Sequence, residues 1–313
     1  MPSRPADYPP WLASLGHAQI LERHTARPSA RREVPTLAMS RDQSTSLVGR
    51  TGGPRLATPA VRLLLLNAQH AGPLRARRQV AWLSQLSEAD VVVITEVGSG
   101  PGGRALVAAL AEHGYHQVHA PTADPPDLTA LVAARGAIRL EPVPSGVGFL
   151  PHRSPAADLF LGGHKVRLLG LYVPSRGPAE RRNEAKRAFQ RAVSQALPRL
   201  IGGFDGPAVV AGDLNVVEPG HVPHYRVYGS WEYDFYRSFL SAGLTDAYRA
   251  LHPSTVEHSW YGRAGNGYRF DHIFTTANAL AVTSCEYLHQ TRTDGISDHA
   301  ALRLTAAITV PTG

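Results

Sequence analysis

Four apolar runs, each closing on a polar side chain, restrict what this chain can fold into more than any other feature. They read VRLLLLN (61–67), DVVVITE (90–96), KVRLLGLYVPS (165–175) and PAVVAGDLN (207–215). Near-continuous Val, Leu and Ile is the pattern of a strand buried on both faces, the kind found inside an α/β sheet. The runs end in Asn67, Glu96, Tyr172 and the pair Asp213 and Asn215. Open α/β sheets collect ligand sites at the carboxyl ends of their strands, so these five side chains are expected on one edge. In the last run, Gly212 allows a turn or a close neighbour just ahead of the acid.

Helical patterns lie between the runs. Pro73 opens an arginine-rich helix to about Leu86, with Val80, Leu83 and Leu86 at helical spacing. A second helix covers about Gly103 to His113. Five shorter stretches broken by proline or glycine, YHQVHA, LTALVAA, AIRLEPV, SGVGFLP and LFLGG, read as antiparallel strands with loops. Pro178 starts a long helix with Phe189, Val193 and Leu197 on one face and Arg181, Arg182, Lys186 and Arg187 largely on others. A helix at Glu232 to Ala242, the half-buried strand RFDHIF, AVTSCEYL and the closing strand ALRLTAAITV complete the chain. The alternation of helices and strands is roughly duplicated across Tyr172.

Residues 1–58 mix Pro, Gly, Ser, Thr and Arg without sustained periodicity, apart from a short helical pattern at 10–23. They are expected to be a mostly disordered basic extension, either a nucleic-acid-binding arm or a dispensable leader, ahead of a catalytic domain at 59–313. The chain carries a formal +7 from 30 arginines and 2 lysines against 25 acids. Residues 1–60 hold eight arginines and four acids, a net +4, which leaves +3 for the remainder. Such a balance favours a polyanionic partner, and arginine can fork two donors onto a phosphate. No apolar run approaches the roughly 18 residues of a membrane span, and the N-terminus lacks the core of a signal peptide. A cytoplasmic monomer is expected, without membrane or obligate protein partner. The lone Cys285 forms no internal disulfide and argues against a structural zinc site.

The acids decide the chemistry. A buried Asp271 needs a partner, and a histidine such as His299, beside Asp298, is a natural one. Carboxylates without a cysteine set or a zincin-type histidine pair suit a hard cation, Mg²⁺ with Mn²⁺ as a substitute. That set suits phosphodiester hydrolysis: Asp213 to orient and deprotonate water, Asn67 and Asn215 as neutral donors, and an Asp–His pair for the charge on phosphate. His113, His116 and His119 do not converge by spacing, and with His221 and His224 they are expected to be structural or solvated.

The pieces Asn67-x-Gln69, T-E at Glu96, YVPS at Tyr172, GDLN at 212–215, W-x8-RFDHIF from Trp260 and SDH at 297–299, in this order, resemble the endonuclease/exonuclease/phosphatase superfamily. The resemblance covers about residues 61–309. It implies a DNase I-like four-layer α/β sandwich, two mixed sheets packed together with helices outside. It also implies that Glu96 binds metal, with Gln69 beside it and Asp298 supporting that ion or a second. Asp213 then activates water, Asn67 and Asn215 hold nucleophile and phosphate, and Asp271 orients His299. Tyr172 stands where the sphingomyelin-hydrolysing and DNase I branches usually have histidine, so the chain resembles the exonuclease III and apurinic-site endonuclease branch. That branch implies duplex DNA, plain or abasic, as partner. Arg176, Arg181 and Trp260 are candidate substrate contacts, with packing beneath the site the plainer role for Trp260. Thr95, Gln69 and Ser175 depart from the branch pattern and put abasic-site preference in doubt. A phosphatase or phosphodiesterase of a small or lipid phosphate, and an inactive nucleic-acid-binding relative, are the alternatives.

Overall fold

The structure, a computed structural model, describes residues 59–86, 89–177, 180–277 and 279–309, with residues 180–182 described by backbone alone. The expected N-terminal extension and its short helix lie outside the described residues.

The elements run β1 (Ala60–Asn67), α1 (Pro73–Ser84), β2 (Val91–Val97), α2 (Pro101–Glu112), β3 (Gln117–His119), β4 (Thr129–Ala134), β5 (Arg139–Val143), β6 (Ala156–Leu161) and β7 (His164–Tyr172). Then follow α3 (Glu180–Leu197), β8 (Ala208–Asp213), α4 (Ser230–Ser241), β9 (Leu244–Asp246), α5 (Ala247–Leu251), β10 (Trp260–Tyr261), β11 (Gly267–Tyr268), β12 (Asp271–Thr276), β13 (Leu280–Leu288), α6 (Gln290–Thr293) and β14 (Ala301–Ile308). Proline occupies the first turn of α1 and of α2, where its missing N–H costs nothing.

Two six-stranded sheets result, ordered β13-β14-β1-β2-β4-β3 and β5-β6-β7-β8-β12-β9. The duplication expected across Tyr172 is a duplication of topology. In each sheet a parallel central pair, β1 with β2 and β7 with β8, is flanked by antiparallel neighbours in the same sequence of directions. A helix makes each parallel crossover, α1 in one sheet and α3 in the other, as parallel pairing requires.

The strand period of two sorts the side chains into layers. Leu63 and Leu65 of β1 and Val91 and Val93 of β2 pack against Leu168, Val209, Ala211 and Ile273 of the other sheet. Leu64, Leu66, Val92 and Ile94 point the other way, onto Val80 and Leu83 of α1 and Leu106 and Leu110 of α2. On the far side Phe239 of α4 stacks on Phe274 of β12, and Tyr236 meets His272 edge-on. The architecture is therefore helix, sheet, sheet, helix, as expected. Among the described residues no helix is long and apolar enough to cross a membrane.

One expected strand is absent. SGVGFLP forms a loop ending in a 3-10 turn at Pro151–Arg153, because Gly146 (φ 72°) and Leu150 (φ 48°) take left-handed conformations that no ladder accommodates.

Candidate active site

The strand period also explains why the site lies between the sheets. Asn67 follows Leu63 and Leu65 in register, Asp213 follows Val209 and Ala211, Tyr172 follows Leu168, and Asp271 precedes Ile273. Asn67, Asp213 and Asp271 extend the inner face of their sheets by two residues beyond the apolar core, and Tyr172 by four, past Gly170. All four are at most 5 % exposed, so the core ends in a polar floor.

Glu96 would break this rule without a local defect. In plain register Thr95 would face inward and Glu96 outward toward the helices. The β2–β4 ladder slips between Ile94 and Val97, placing an extra residue there, and Glu96 adopts φ 54°. A bulge of this kind re-aims one side chain. Glu96 consequently accepts a hydrogen bond from Tyr172 Oη of the opposite sheet at 3.3 Å. Gln69, Glu96 and Asn215 are three of the five non-glycine residues with positive φ among those described, and all three lie at ends of central strands, where such strain commonly accompanies function.

Asp213 and Asp271 are direct partners across β8 and β12, a like-charge pair that strand pairing alone disfavours. His299 answers it. Its Nδ1 lies 2.7 Å from Asp271 Oδ2, and its Nε2 lies 3.5 Å from Asn67 Nδ2. Asn67 Nδ2 donates to Asp213 Oδ2 at 3.0 Å and the Asn215 N–H donates to Asp213 Oδ1 at 2.9 Å. Burial, and then the Asp271 charge, push the Asp213 carboxyl up to about 8. Burial works against a charged His299, but the Asp271 carboxylate and its hydrogen bond outweigh this and raise the imidazole to about 10. The site thus pairs an imidazolium with a carboxyl that titrates near neutrality. Among the described residues, Asp213, Asp271 and His299 bring one ligand-type atom each within 4.8 Å of the others.

The rim is more open. Asp298 and Glu96 are half-buried. Asp298 Oδ2 accepts from Trp260 Nε1 at 3.0 Å, while its Oδ1 is buried without a partner. Burial raises the Glu96 carboxyl, and the Asp298 charge raises it further, against the lowering effect of His299 and Asn67. Ser297 Oγ donates to the Asn67 carbonyl at 2.7 Å and accepts from His299 N–H at 3.1 Å, tying the SDH turn to the end of β1. The backbones of Trp260 and His299 form an isolated antiparallel bridge. A Cβ at Gly212 would run into the Leu171 carbonyl, so glycine is what lets β7 and β8 approach beside the acid.

The model for the Endonuclease/Exonuclease/phosphatase family matches residues 64–299, a stretch that holds every residue of this constellation. The chain belongs to the endonuclease/exonuclease/phosphatase family. Solved structures with this fold include an AP endonuclease from Archaeoglobus fulgidus, at 20% identity and TM-score 0.63 over 80% of this chain and 100% of that one. A Neisseria 3′ phosphatase, NExo, bound to a product DNA hairpin matches at 20% identity and TM-score 0.62, with the same coverage of both chains. A 3′-5′ exonuclease, NExo, from Neisseria meningitidis matches at 21% identity and TM-score 0.60, again over 80% of this chain and 100% of that chain. No curated protein shows significant sequence similarity to the chain.

Within this family member the structure gathers Asn67, Glu96, Tyr172, Asp213, Asn215, Asp271, Asp298 and His299 where the central strands of the two sheets end. Gln69 belongs to the same loop through its N–H, which donates to Asn67 Oδ1 at 2.7 Å. Trp260 is half-buried beside the site, its ring stacked on Phe270 (5.7 Å) and 6.3 Å from the His299 ring. Arg176 is half-buried and spends Nη1 on Glu232 at 2.7 Å. The side chain of Arg181 lies outside the described residues. Lys186 overturns its expected place on an exposed helix face: it is fully buried and paired with Glu232 at 2.6 Å.

Two supporting groups escaped the sequence reading. Asp127 accepts a double hydrogen bond from Arg153 (2.7–2.9 Å) and lies 2.9 Å from His152 Nε2, and the Arg153 guanidinium lies 4.6 Å over the Tyr172 ring. Burial would raise the Asp127 carboxyl, but these partners lower it to about 2. Arg269, fully buried two residues before Asp271, bonds Glu218 Oε2 at 2.6 Å and Asp246 Oδ2 at 2.7 Å. Spacing could have flagged Lys186, three, seven and eleven residues before Phe189, Val193 and Leu197 and therefore on their face. Arg153 and Asp127 meet only through the tertiary fold, and no local pattern announces them.

Proposed function

We propose that this protein is a divalent-cation-dependent phosphodiesterase acting on DNA, of the exonuclease III or apurinic-site endonuclease type, that leaves a 3′-hydroxyl. The observation that carries the reading is the chain of contacts from Asp271 through His299 and Asn67 to Asp213. It sets a basic carboxylate and an imidazolium on either side of one amide donor. Tyr172 at the end of β7 and the DNA-processing activities named for the similar structures support the substrate class.

The donor set also fits a hard cation at Glu96 and Asp298. Asp298 Oδ1 is a buried oxygen without a partner, and the Asp298 charge works against an ionised Glu96, a conflict that a divalent ion would relieve. The closer trio of Asp213, Asp271 and His299 is a poorer site. His299 Nδ1 is already engaged with Asp271, and both Asp213 oxygens already accept donors, from Asn67 Nδ2 and the Asn215 N–H. When bound, the ion would neutralise charge on the phosphate and polarise its oxygens.

The protein's own groups do the rest. Asn215 Nδ2 donates to the Val173 carbonyl at 2.9 Å, which leaves its amide oxygen able to accept from a water. Asp213, fixed by Asn67 and Asn215, takes that water's proton as oxygen attacks phosphorus and the bond from phosphorus to O3′ breaks. The growing charge on the phosphate oxygens is met by His299 Nε2–H, with Asp271 holding the ring from behind, and by Asn67 Nδ2.

A cleavage panel tests this. Duplexes carrying an abasic site, a recessed 3′ end or a 3′-phosphate, single strands, and small and lipid phosphate esters are offered with Mg²⁺ or Mn²⁺. Cleavage of a duplex with a new 3′-hydroxyl is expected. Hydrolysis of the small or lipid esters with every DNA left intact would overturn it.

A further inference from the structure

Helix α3 carries its single lysine on the buried side. The Lys186 ammonium donates to the main-chain carbonyl of Asn215 at 2.7 Å and to Glu232 Oε1 at 2.6 Å. Glu232, also fully buried, accepts Arg176 Nη1 at 2.7 Å and the Gly229 N–H at 3.0 Å. One ion pair therefore fastens four segments: α3, the GDLN turn, the stretch after Tyr172 and the start of α4.

The GDLN turn needs fastening. Asn215 sits at φ 49°, a left-handed conformation that no strand continues through, although asparagine enters it more readily than most side chains. In that conformation its N–H points back at Asp213 Oδ1 and its amide reaches the Val173 carbonyl. If Asn215 rotated, both contacts would be lost together with the 3.4 Å bond from its Nδ2 to Asp213 Oδ2, leaving Asp213 the Asn67 donor. The Asn215 carbonyl, at the other end of that residue, is the atom that Lys186 grips.

Stability alone gives little reason for charge here. A buried ion pair is often replaced by well-packed apolar residues without loss of stability. What an apolar pair lacks is a donor for the Asn215 carbonyl. We infer that Lys186 is a positioning residue of this site: its buried ammonium holds the Asn215 peptide in the left-handed turn that aims the Asn215 N–H at Asp213. The inference rests on the proposed function for its catalytic consequence, and on geometry alone for its structural one.

The test compares two variants of the full chain. Lys186→Met combined with Glu232→Gln removes the donor without stranding a bare carboxylate, while Glu232→Gln alone keeps Lys186 and its bond to Asn215. Amide hydrogen exchange is read over residues 212–216 and, as a control, over β1 and β14. In the double variant, protection over 212–216 is expected to fall about tenfold with β1 and β14 unchanged. On a DNA substrate kcat falls about 10²-fold through misplacement of Asp213, with KM held within about threefold. The single variant strands the buried Lys186 charge and is expected to lose stability throughout the protein, but it keeps the donor to Asn215, so protection over 212–216 relative to β1 and β14 stays within about threefold of the parent ratio. Unchanged exchange over 212–216 in the double variant would overturn the inference, as would an equal fall of that ratio in Glu232→Gln or a loss spread evenly over β1 and β14. If the parent protein cleaves no DNA, the functional reading fails, and the exchange comparison still decides the role of Lys186.

Discussion

Asp213→Asn is expected to fold, to unfold at a higher temperature than the parent protein at pH 8 to 9, and to hydrolyse DNA about 10³- to 10⁴-fold more slowly. The two effects have one cause. Asp213 lies opposite Asp271 on the paired strand, and burial together with that charge raises its carboxyl to about 8. A carboxyl raised in the fold holds its proton more tightly there than in the unfolded chain. Its stabilising contribution is complete below the unfolded value of about 3.9 and is lost as pH rises through about 8. Asparagine carries no charge to lose, so thermal unfolding of variant and parent should converge near pH 4 and separate at alkaline pH. The amide can still accept the Asn215 N–H, so the turn survives, but it takes no proton from water. Activity kept within tenfold, or a lower melting temperature at pH 8 to 9, would contradict the role given to Asp213.

Arg269→Met is expected to destabilise the protein by about 3 to 5 kcal/mol, because it leaves buried carboxylates short of their partner. Arg269 is fully buried and joins Glu218, after β8, to Asp246, the N-cap of α5. Asp246 would keep Tyr236 Oη at 2.8 Å and His272, and Glu218 would keep Arg249, at 2.6 Å from its Nε. Neither supplies the lost cation between the two acids. Burial would raise both carboxyls, yet the bonds from Arg249 and the Arg269 charge bring Glu218 down to about 2, and the Arg269 charge with His272 puts Asp246 well below its usual range. Carboxyls depressed in this way stabilise the fold fully above their unfolded values, near 4, and cease to do so as pH falls through the folded ones. Acid unfolding followed by circular dichroism should therefore begin below pH 4 in the parent protein. In the variant the whole profile shifts to lower stability at neutral pH, and the drop between pH 4 and 2 shrinks. A variant as stable as the parent at pH 7 would show that the network is dispensable.

Much of this was legible in the chain because apolar period and strand-end chemistry are local signals. The four runs became the parallel pairs β1 with β2 and β7 with β8, and counting in twos from Leu65 or Ala211 already aims Asn67 and Asp213 inward. The same count fails for Glu96. Its orientation comes from a bulge and a positive φ, and a bulge is settled by how β2 pairs with β4, 32 or more residues later in the chain. Lys186 is harder to place, because a charge within an arginine-rich segment reads as solvated, although its spacing to Phe189 places it inside. SGVGFLP reads as one of the short strand-like stretches between turn residues, where left-handed Gly146 and Leu150 rule a ladder out. Arg153 over Tyr172, and Asp127 beneath it, come from segments that only the sandwich brings together.

In the proposed function labour is divided, with the cation on Glu96 and Asp298 and with Asp213 and the Asp271–His299 pair left free for proton and phosphate. A crystal structure with Mn²⁺ and inorganic phosphate, using anomalous scattering to locate the metal, tests it most directly. The account predicts an anomalous peak held by Glu96 and Asp298 and a phosphate within hydrogen-bonding reach of His299 Nε2 and Asn67 Nδ2. A peak held instead by Asp213, Asp271 and His299 would contradict it.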